Sequence, residues 1–139
     1  MKKTWMIGGL IGLFLVPEVA LAWRAWNRHE VLPVADGVFE VVSRVGSGPR
    51  QFWCGAGDYV YRKMGAPGVQ RIYIHEAIGE SVNRPGKKSV KFSLTPPLDV
   101  STSPGYSLSV KAVGDNLSAA SAQQYCYDGG YEDRIIPRF

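Results

Sequence analysis

Apolar positions recur at two spacings along this chain, and the spacing changes at breaks rich in proline and glycine. From Val38 to Val45 the pattern alternates, with Phe39, Val41 and Val45 on one face and Val38, Glu40, Val42 and Arg44 on the other. Successive side chains of an extended strand point to opposite faces, so this segment predicts a strand. Val38 and Val42 are apolar as well, which implies that both faces are partly covered, as in a central strand. The period then becomes helical. Trp53, Ala56, Gly57, Val60 and Met64 form one stripe of an amphipathic helix running from Pro49 to Met64. Gln51, Asp58 and Arg62 fall on the side away from that stripe. Proline is tolerated at the first helical position, where its missing N–H has no partner to lose. Gly65 supplies the left-handed stop. Gly55 and Gly57 each cost about 1 kcal/mol relative to alanine inside a helix. Close approach of the helix backbone to a sheet is the expected compensation.

Alternation returns after the Ala66-Pro67-Gly68 turn. Val69–Ile78 predicts a strand with Ile72, Ile74 and Ile78 on one face and Arg71, Tyr73 and His75 on the other. Residues 83–88 read as a polar, basic hairpin tip. Ser89–Thr95 predicts a strand with Val90, Phe92 and Leu94 inward and Lys91 and Ser93 in water. Pro96, Pro97 and Pro104 make Thr95–Gly105 a stiff loop. Tyr106–Val113 alternates again and is expected to be a strand. Ser118–Cys126 predicts a short helix capped by Asn116 or Ser118 and stopped by Gly129-Gly130. The apolar tail Tyr131–Phe139 is expected to dock on the domain. The expected fold class is α+β: a small antiparallel β-sheet of about four strands, with one main helix (about 49–64) and a short C-terminal helix packed on it.

The first 22 residues follow a different logic. Lys2 and Lys3 precede an uncharged apolar run from Trp5 to Val16, Pro17 and Glu18 break it, and Ala20-Leu21-Ala22 offers a small-x-small cleavage pattern. The run is too short to span a bilayer, which takes about 20 residues. Residues 1–22 therefore read as a cleavable secretory signal peptide and 23–139 as a single domain, periplasmic or secreted, with no stable membrane span after cleavage. An uncleaved membrane anchor is the alternative. Removing Lys2, Lys3 and Glu18 lowers the formal net charge of +4 by one. That mild excess gives no reason to invoke nucleic acid.

Export changes the meaning of the two cysteines, Cys54 and Cys126. In an oxidising compartment an even count reads as a disulfide. Closing a loop of about 70 residues would constrain the unfolded chain by about 4 kcal/mol in the loop-entropy model.

The competing chemistry is a cysteine hydrolase. Cys54 lies early in a helix, where the backbone dipole favours a thiolate. His75 or His29 would serve as base, with Asp36 or Asp58 to orient it. Trp53-Cys54-Gly55 followed by Tyr59-Val60-Tyr61-Arg62 resembles, over about a dozen residues, the nucleophile helix of papain-like cell-wall peptidases. It departs from that pattern at Gly55, where those families place a polar residue, and in the short separation between Cys54 and His75. The spacings of His29, Cys54, His75 and Cys126 match no zinc pattern, which needs close ligand pairs. No phosphate-loop or dinucleotide motif follows the glycines at 46–48 or 55–57, and no cofactor is implied. Trp23 and Trp26 are expected to cover one end of the core, and Arg84, Lys87 and Lys88 to sit on a solvated hairpin tip. The same residues are the candidate binding surface, the alternative reading. The sequence thus points to an exported, disulfide-stabilised, non-enzymatic interaction module whose partner is a protein or an envelope component.

Overall fold

The computed structural model describes residues 22–103 and 108–135. Residues 1–21 of the expected secretory leader, Tyr106 and Ser107 of the expected Tyr106–Val113 strand and the end of the tail lie outside those residues. The described chain forms a curled, wholly antiparallel sheet of six strands with two helices, an α+β architecture. The strands are β1 (Trp23–Arg24), β2 (Glu30–Ala35), β3 (Val38–Val42), β4 (Arg71–Glu80), β5 (Lys88–Ser93) and β6 (Asn116–Ser118). Their order across the sheet is β1-β2-β3-β5-β4-β6. Helix α1 (Pro49–Asp58) runs on into a π-helical turn at Tyr59–Lys63, and α2 spans Ala119–Ile135. Among the described residues no helix is long and apolar enough to cross a membrane.

Six strands replace the four expected. Strands β1 and β2 occupy what reads in sequence as an irregular lead-in. Pro33 lacks the N–H that a ladder uses, and the β2–β3 register shifts between Pro33 and Ala35 to accommodate it. Strand β6 is three residues long, too short to leave a periodic signature. Conversely, residues 108–113 do not form the expected strand. Their contact with β4 is an isolated bond from Ile78 N–H to Val110 C=O (3.0 Å), followed at the next turn by Gly114 N–H to Ile74 C=O (2.9 Å) and Ile74 N–H to Asp115 C=O (2.8 Å). Helix α2 is not short. It begins where Ser118 Oγ accepts from Ser121 N–H (3.2 Å) and passes through Gly129-Gly130 without stopping.

The core lies between one face of the sheet and α1. Val41 faces Val90 and Phe39 faces Phe92 across β3 and β5. Trp53 meets Phe92 edge-on with ring centroids 5.0 Å apart, and its indole N–H donates to Ser109 C=O (3.1 Å). Trp53, Ala56 and Val60 are fully buried, as the stripe predicts, and so is Phe52 beside it, whereas Met64 at the stripe's end is exposed. Ile72 and Ile74 are buried on β4, but Ile78 is not. The β4–β5 register shifts twice beyond Ile74 and breaks the alternation there.

The opposite face of the central strands is covered as well. Glu40, Ser89, Lys91 and Ser93 are buried, so the expectation of a wet face on β5 fails. The cover is the β4–β5 connection, folded back and pinned by Glu40. That carboxylate accepts from Ser81 Oγ (3.0 Å), Ser89 Oγ (2.6 Å), the backbone N–H groups of Val82 (3.1 Å) and Asn83 (2.8 Å), and Asn83 Nδ2 (2.7 Å). A buried carboxylate persists only with such compensation.

The two helix glycines have different reasons. A Cβ on Gly55 would lie 2.7 Å from Val41 Cγ1, which is the predicted approach to the sheet. A Cβ on Gly57 would run into the Gln123 backbone nitrogen and lie 2.7 Å from Ala122, so Gly57 is there for α2. The same crossing holds the disulfide between Cys54 and Cys126, whose Cα atoms are 4.8 Å apart. It also buries Asp58, which the stripe had placed on the outward side. Asp58 accepts from Arg62 Nε (2.6 Å) and Nη2 (3.1 Å), from Gln123 Nε2 (3.1 Å) and from Trp26 N–H (2.8 Å). Gly65, at φ +70°, ends the segment as predicted.

Replacing Gly57 by alanine must push a backbone aside, so Gly57→Ala is expected to lower stability by about 1–3 kcal/mol with an unchanged denaturant slope. Removing the cross-link in Cys54→Ala/Cys126→Ala is expected to cost about 4 kcal/mol. Urea titration of each variant against the parent measures both.

Candidate functional site

The β1–β2 hairpin is built around an unusual turn. Arg28 N–H donates to Ala25 C=O (2.8 Å) and Ala25 N–H to His29 C=O (3.0 Å), closing a short loop before Glu30 pairs with Arg24. Arg28 takes φ +67°, the left-handed region that favours glycine. Because side chains alternate along β1, Trp23 packs toward the helices, edge-on to Tyr59 at 5.6 Å and under the Arg62 guanidinium. Arg24 points the other way and donates through Nη1 to Arg28 C=O (3.2 Å).

Two neighbouring segments complete a basic cleft beside this turn. The chain leaving β3 supplies Ser43, Arg44 and Val45, and the β4–β5 connection supplies Lys87. An inner cavity of about 80 Å³ is lined by Arg24, Arg28, Arg44 and Lys87, with Glu30, Val42 and Ser43. Beside it lies an outer cavity of about 370 Å³ lined by Asn27, His29, Arg44, Val45 and Lys87. Arg44 and Lys87 line both. Four cations therefore share the inner cavity with one carboxylate, and Glu30 is already taken by the Arg84 fork (3.2 and 3.0 Å). The hydrogen-bonded Arg84 guanidinium holds the Glu30 carboxyl below its usual range despite partial burial.

The cations are positioned by the fold. Arg44 Nη1 donates to Asn27 C=O (3.3 Å), and Ser47 Oγ, accepting from Arg44 N–H (2.7 Å), fixes the turn that carries Arg44. His29 is buried behind them, edge-on to Phe52. Its Nδ1 lies 3.3 Å from Asn27 C=O and its Nε2 2.7 Å from Ser47 Oγ. The Asn27 carbonyl can only accept, so that contact requires a proton on Nδ1, while Ser47 Oγ, 2.7 Å from both Nε2 and the Arg44 carbonyl, has one proton for the two. Burial pushes the His29 pKa below its usual value near 6.5. The Asn27 carbonyl opposes that shift and the Arg44 charge adds to it. Lys87 is presented by the connection that Glu40 pins, so a buried carboxylate in mid-sheet sets the position of a surface cation.

Of the candidate binding surface, Lys87 lines the cleft and Arg84 braces its wall through Glu30. Lys88 is exposed at the start of β5 and lines neither cavity. Trp23 is half-buried against the helices, and Trp26 is 44% exposed with its ring 5.6 Å from that of Tyr127. Arg24, Arg28 and Arg44 are the cleft residues that the sequence leaves unassembled. Their basic character is legible, but only the strand order shows that residues 24–28, 44 and 87 meet.

The alternative set is not assembled around a free thiol. Cys54 is buried and bonded to Cys126, His75 is exposed on β4, and His29 is held by Asn27 and Ser47. A disulfide sulfur has no thiolate to activate.

Protonation links the cleft to stability. His29 has a depressed folded-state pKa, so its contribution is complete above about pH 6.5 and is lost as pH falls through the lower folded value. Glu40 behaves similarly at lower pH. Burial alone would raise its pKa, but the donors from Ser89, Asn83 and Val82 outweigh burial and hold it below the usual 4.5. Its contribution is present above about pH 4.5 and lost below. Thermal melts are therefore expected to show two successive losses on acidification, and His29→Gln is expected to flatten the first while leaving the second. Comparison of the chain with protein-family models, curated proteins and solved structures gave no match.

Proposed function

We propose that this is an exported, disulfide-stabilised, non-enzymatic interaction module, and that it engages an anionic group of an envelope component or partner protein through the basic cleft. The observation that carries this reading is the gathering of Arg24, Arg28, Arg44 and Lys87 around a cavity whose one carboxylate, Glu30, is already paired. Like charges brought together on a fold repel one another, and an incoming anion relieves that cost while drawing on steered encounter. Export is supported by the leader pattern at residues 1–22 and by the Cys54–Cys126 bond, which suits an oxidising compartment. The hydrolase alternative requires Cys54 as a thiolate, which that bond consumes.

Mass spectrometry of the protein purified from its native host is expected to find a chain beginning at Trp23 with both thiols blocked until reduction. An intact Met1 terminus together with an alkylatable Cys54 would overturn the export reading and restore the hydrolase. In a binding assay, charge reversal at Lys87→Glu is expected to abolish capture of the anionic partner without loss of fold.

A further inference from the structure

We propose that the inner part of the cleft is a phosphate-binding site, taking the phosphoryl group of a small phosphorylated ligand or of a lipid headgroup. This rests on the reading of the cleft as an anion-binding face and narrows it to one chemistry.

Charge is the first argument. Arg24, Arg28, Arg44 and Lys87 line a cavity of about 80 Å³ in which Glu30, held by Arg84, is the one carboxylate. A carboxylate ligand brings a single negative charge and two acceptor atoms, which leaves most of this set uncompensated. A phosphate monoester brings about −1.5 to −2 charges and three strong acceptor oxygens. Guanidinium forks match phosphate oxygens in pairs, and lysine adds a point charge. The cavity has the scale of one such group. The adjoining outer cavity of about 370 Å³, lined by Asn27, His29 and the fully exposed Val45, has room for the organic part of the molecule.

The backbone is the second argument, and it is independent of charge. A hairpin loop with a left-handed last residue normally uses glycine there. This chain uses arginine, at φ +67°, and holds it against a cost of order 1 kcal/mol. The side chain that this strain retains lines the inner cavity. Strained non-glycine residues persist where the surroundings over-determine them, and they concentrate at ligand sites. The conformation also directs the Arg28 carbonyl to Arg24 Nη1 (3.2 Å), so one turn places two of the four cations.

The two properties of Arg28 predict opposite effects of one substitution. Arg28→Gly relieves the turn and removes a ligand-binding cation. It is expected to melt at the same temperature as the parent or higher, and to bind inorganic phosphate about tenfold more weakly or less, the loss of one charge-assisted contact. Lys87→Gln is expected to weaken phosphate similarly with unchanged melting.

The test is calorimetric titration of the purified protein at low ionic strength with inorganic phosphate and, as the carboxylate control, succinate. Sedimentation with phosphatidylcholine vesicles, with and without phosphatidylglycerol, forms the second arm. Saturable phosphate binding, weakened in both variants, upholds the proposal with a soluble ligand. Binding confined to the phosphatidylglycerol vesicles, weakened likewise, upholds it with a headgroup. Succinate binding as tight as phosphate overturns the phosphate assignment while leaving the anionic cleft standing. Absence of binding to all of these overturns the phosphate assignment and the anionic reading together. Phosphate or vesicle binding that Arg28→Gly leaves intact overturns the assignment to this cavity.

Discussion

The crossing of the two helices leaves no space for a side chain at Gly57, and much of the molecule is arranged around that contact. Within five residues the chain places a disulfide, a backbone-to-backbone approach and a buried carboxylate. Each depends on the others. The helices can come close only because Gly57 lacks a Cβ, and at that separation the bridge between Cys54 and Cys126 closes. The same closeness excludes water from Asp58, which then requires donors from three parts of the chain: Arg62 on the turn after α1, Gln123 on α2, and the Trp26 amide in the first hairpin. A polar residue thus takes over part of the work of holding distant segments in register, at the cost of a desolvation that only a complete donor set offsets.

A second buried acid does the equivalent on the other side of the sheet. Glu40 draws the β4–β5 connection over the central strands, so the segment that reads as a free basic tip is anchored at Ser81, Val82 and Asn83. Arg84 then reaches Glu30 on β2, and Lys87 is left facing the hairpin arginines. The cleft exists because three segments far apart in sequence are set by hydrogen bonds both within it, as from Arg44 to Asn27, and well outside it, as at Glu40.

That explains how far the sequence could be read. The Trp53–Val60 part of the stripe, a strand starting at Val38, the Gly65 stop and the cysteine pair follow from periodicity, local stereochemistry and an even cysteine count and are found. The strand nevertheless ends at Val42 and leaves Val45, expected on its inner face, outside it and fully exposed. What resists reading depends on a partner the local pattern does not contain. Asp58 is polar and falls away from the apolar stripe, yet α2 covers it. Gly129-Gly130 is a helix stop on local grounds, and α2 continues through it. The alternation at 106–113 is that of a strand, but β4 is bulged beside it, and the described part of that segment touches β4 without forming a ladder. Pro33 argues against a strand, and a register shift makes room for it. The cleft is the extreme case. Its residues are individually visible as basic, and only the order β2-β3-β5 in the sheet makes them neighbours.

The two ends of the sheet have a consequence for how copies of this chain behave together. Its edges are β1, two residues long and carrying Arg24, and β6, three residues long. Beyond β6, the flank of β4 is met by the carbonyls and amides of residues 110–115. An unpaired strand edge is a template on which a second molecule can add its own strand, and short or charged edges deny it that template. Among the described residues, such ends leave a neighbouring chain little to pair with beyond Leu32–Ala35 of β2, where Pro33 removes one donor. The shortness of the outermost strands thus limits the template for strand-by-strand addition, independently of the charge on the surface.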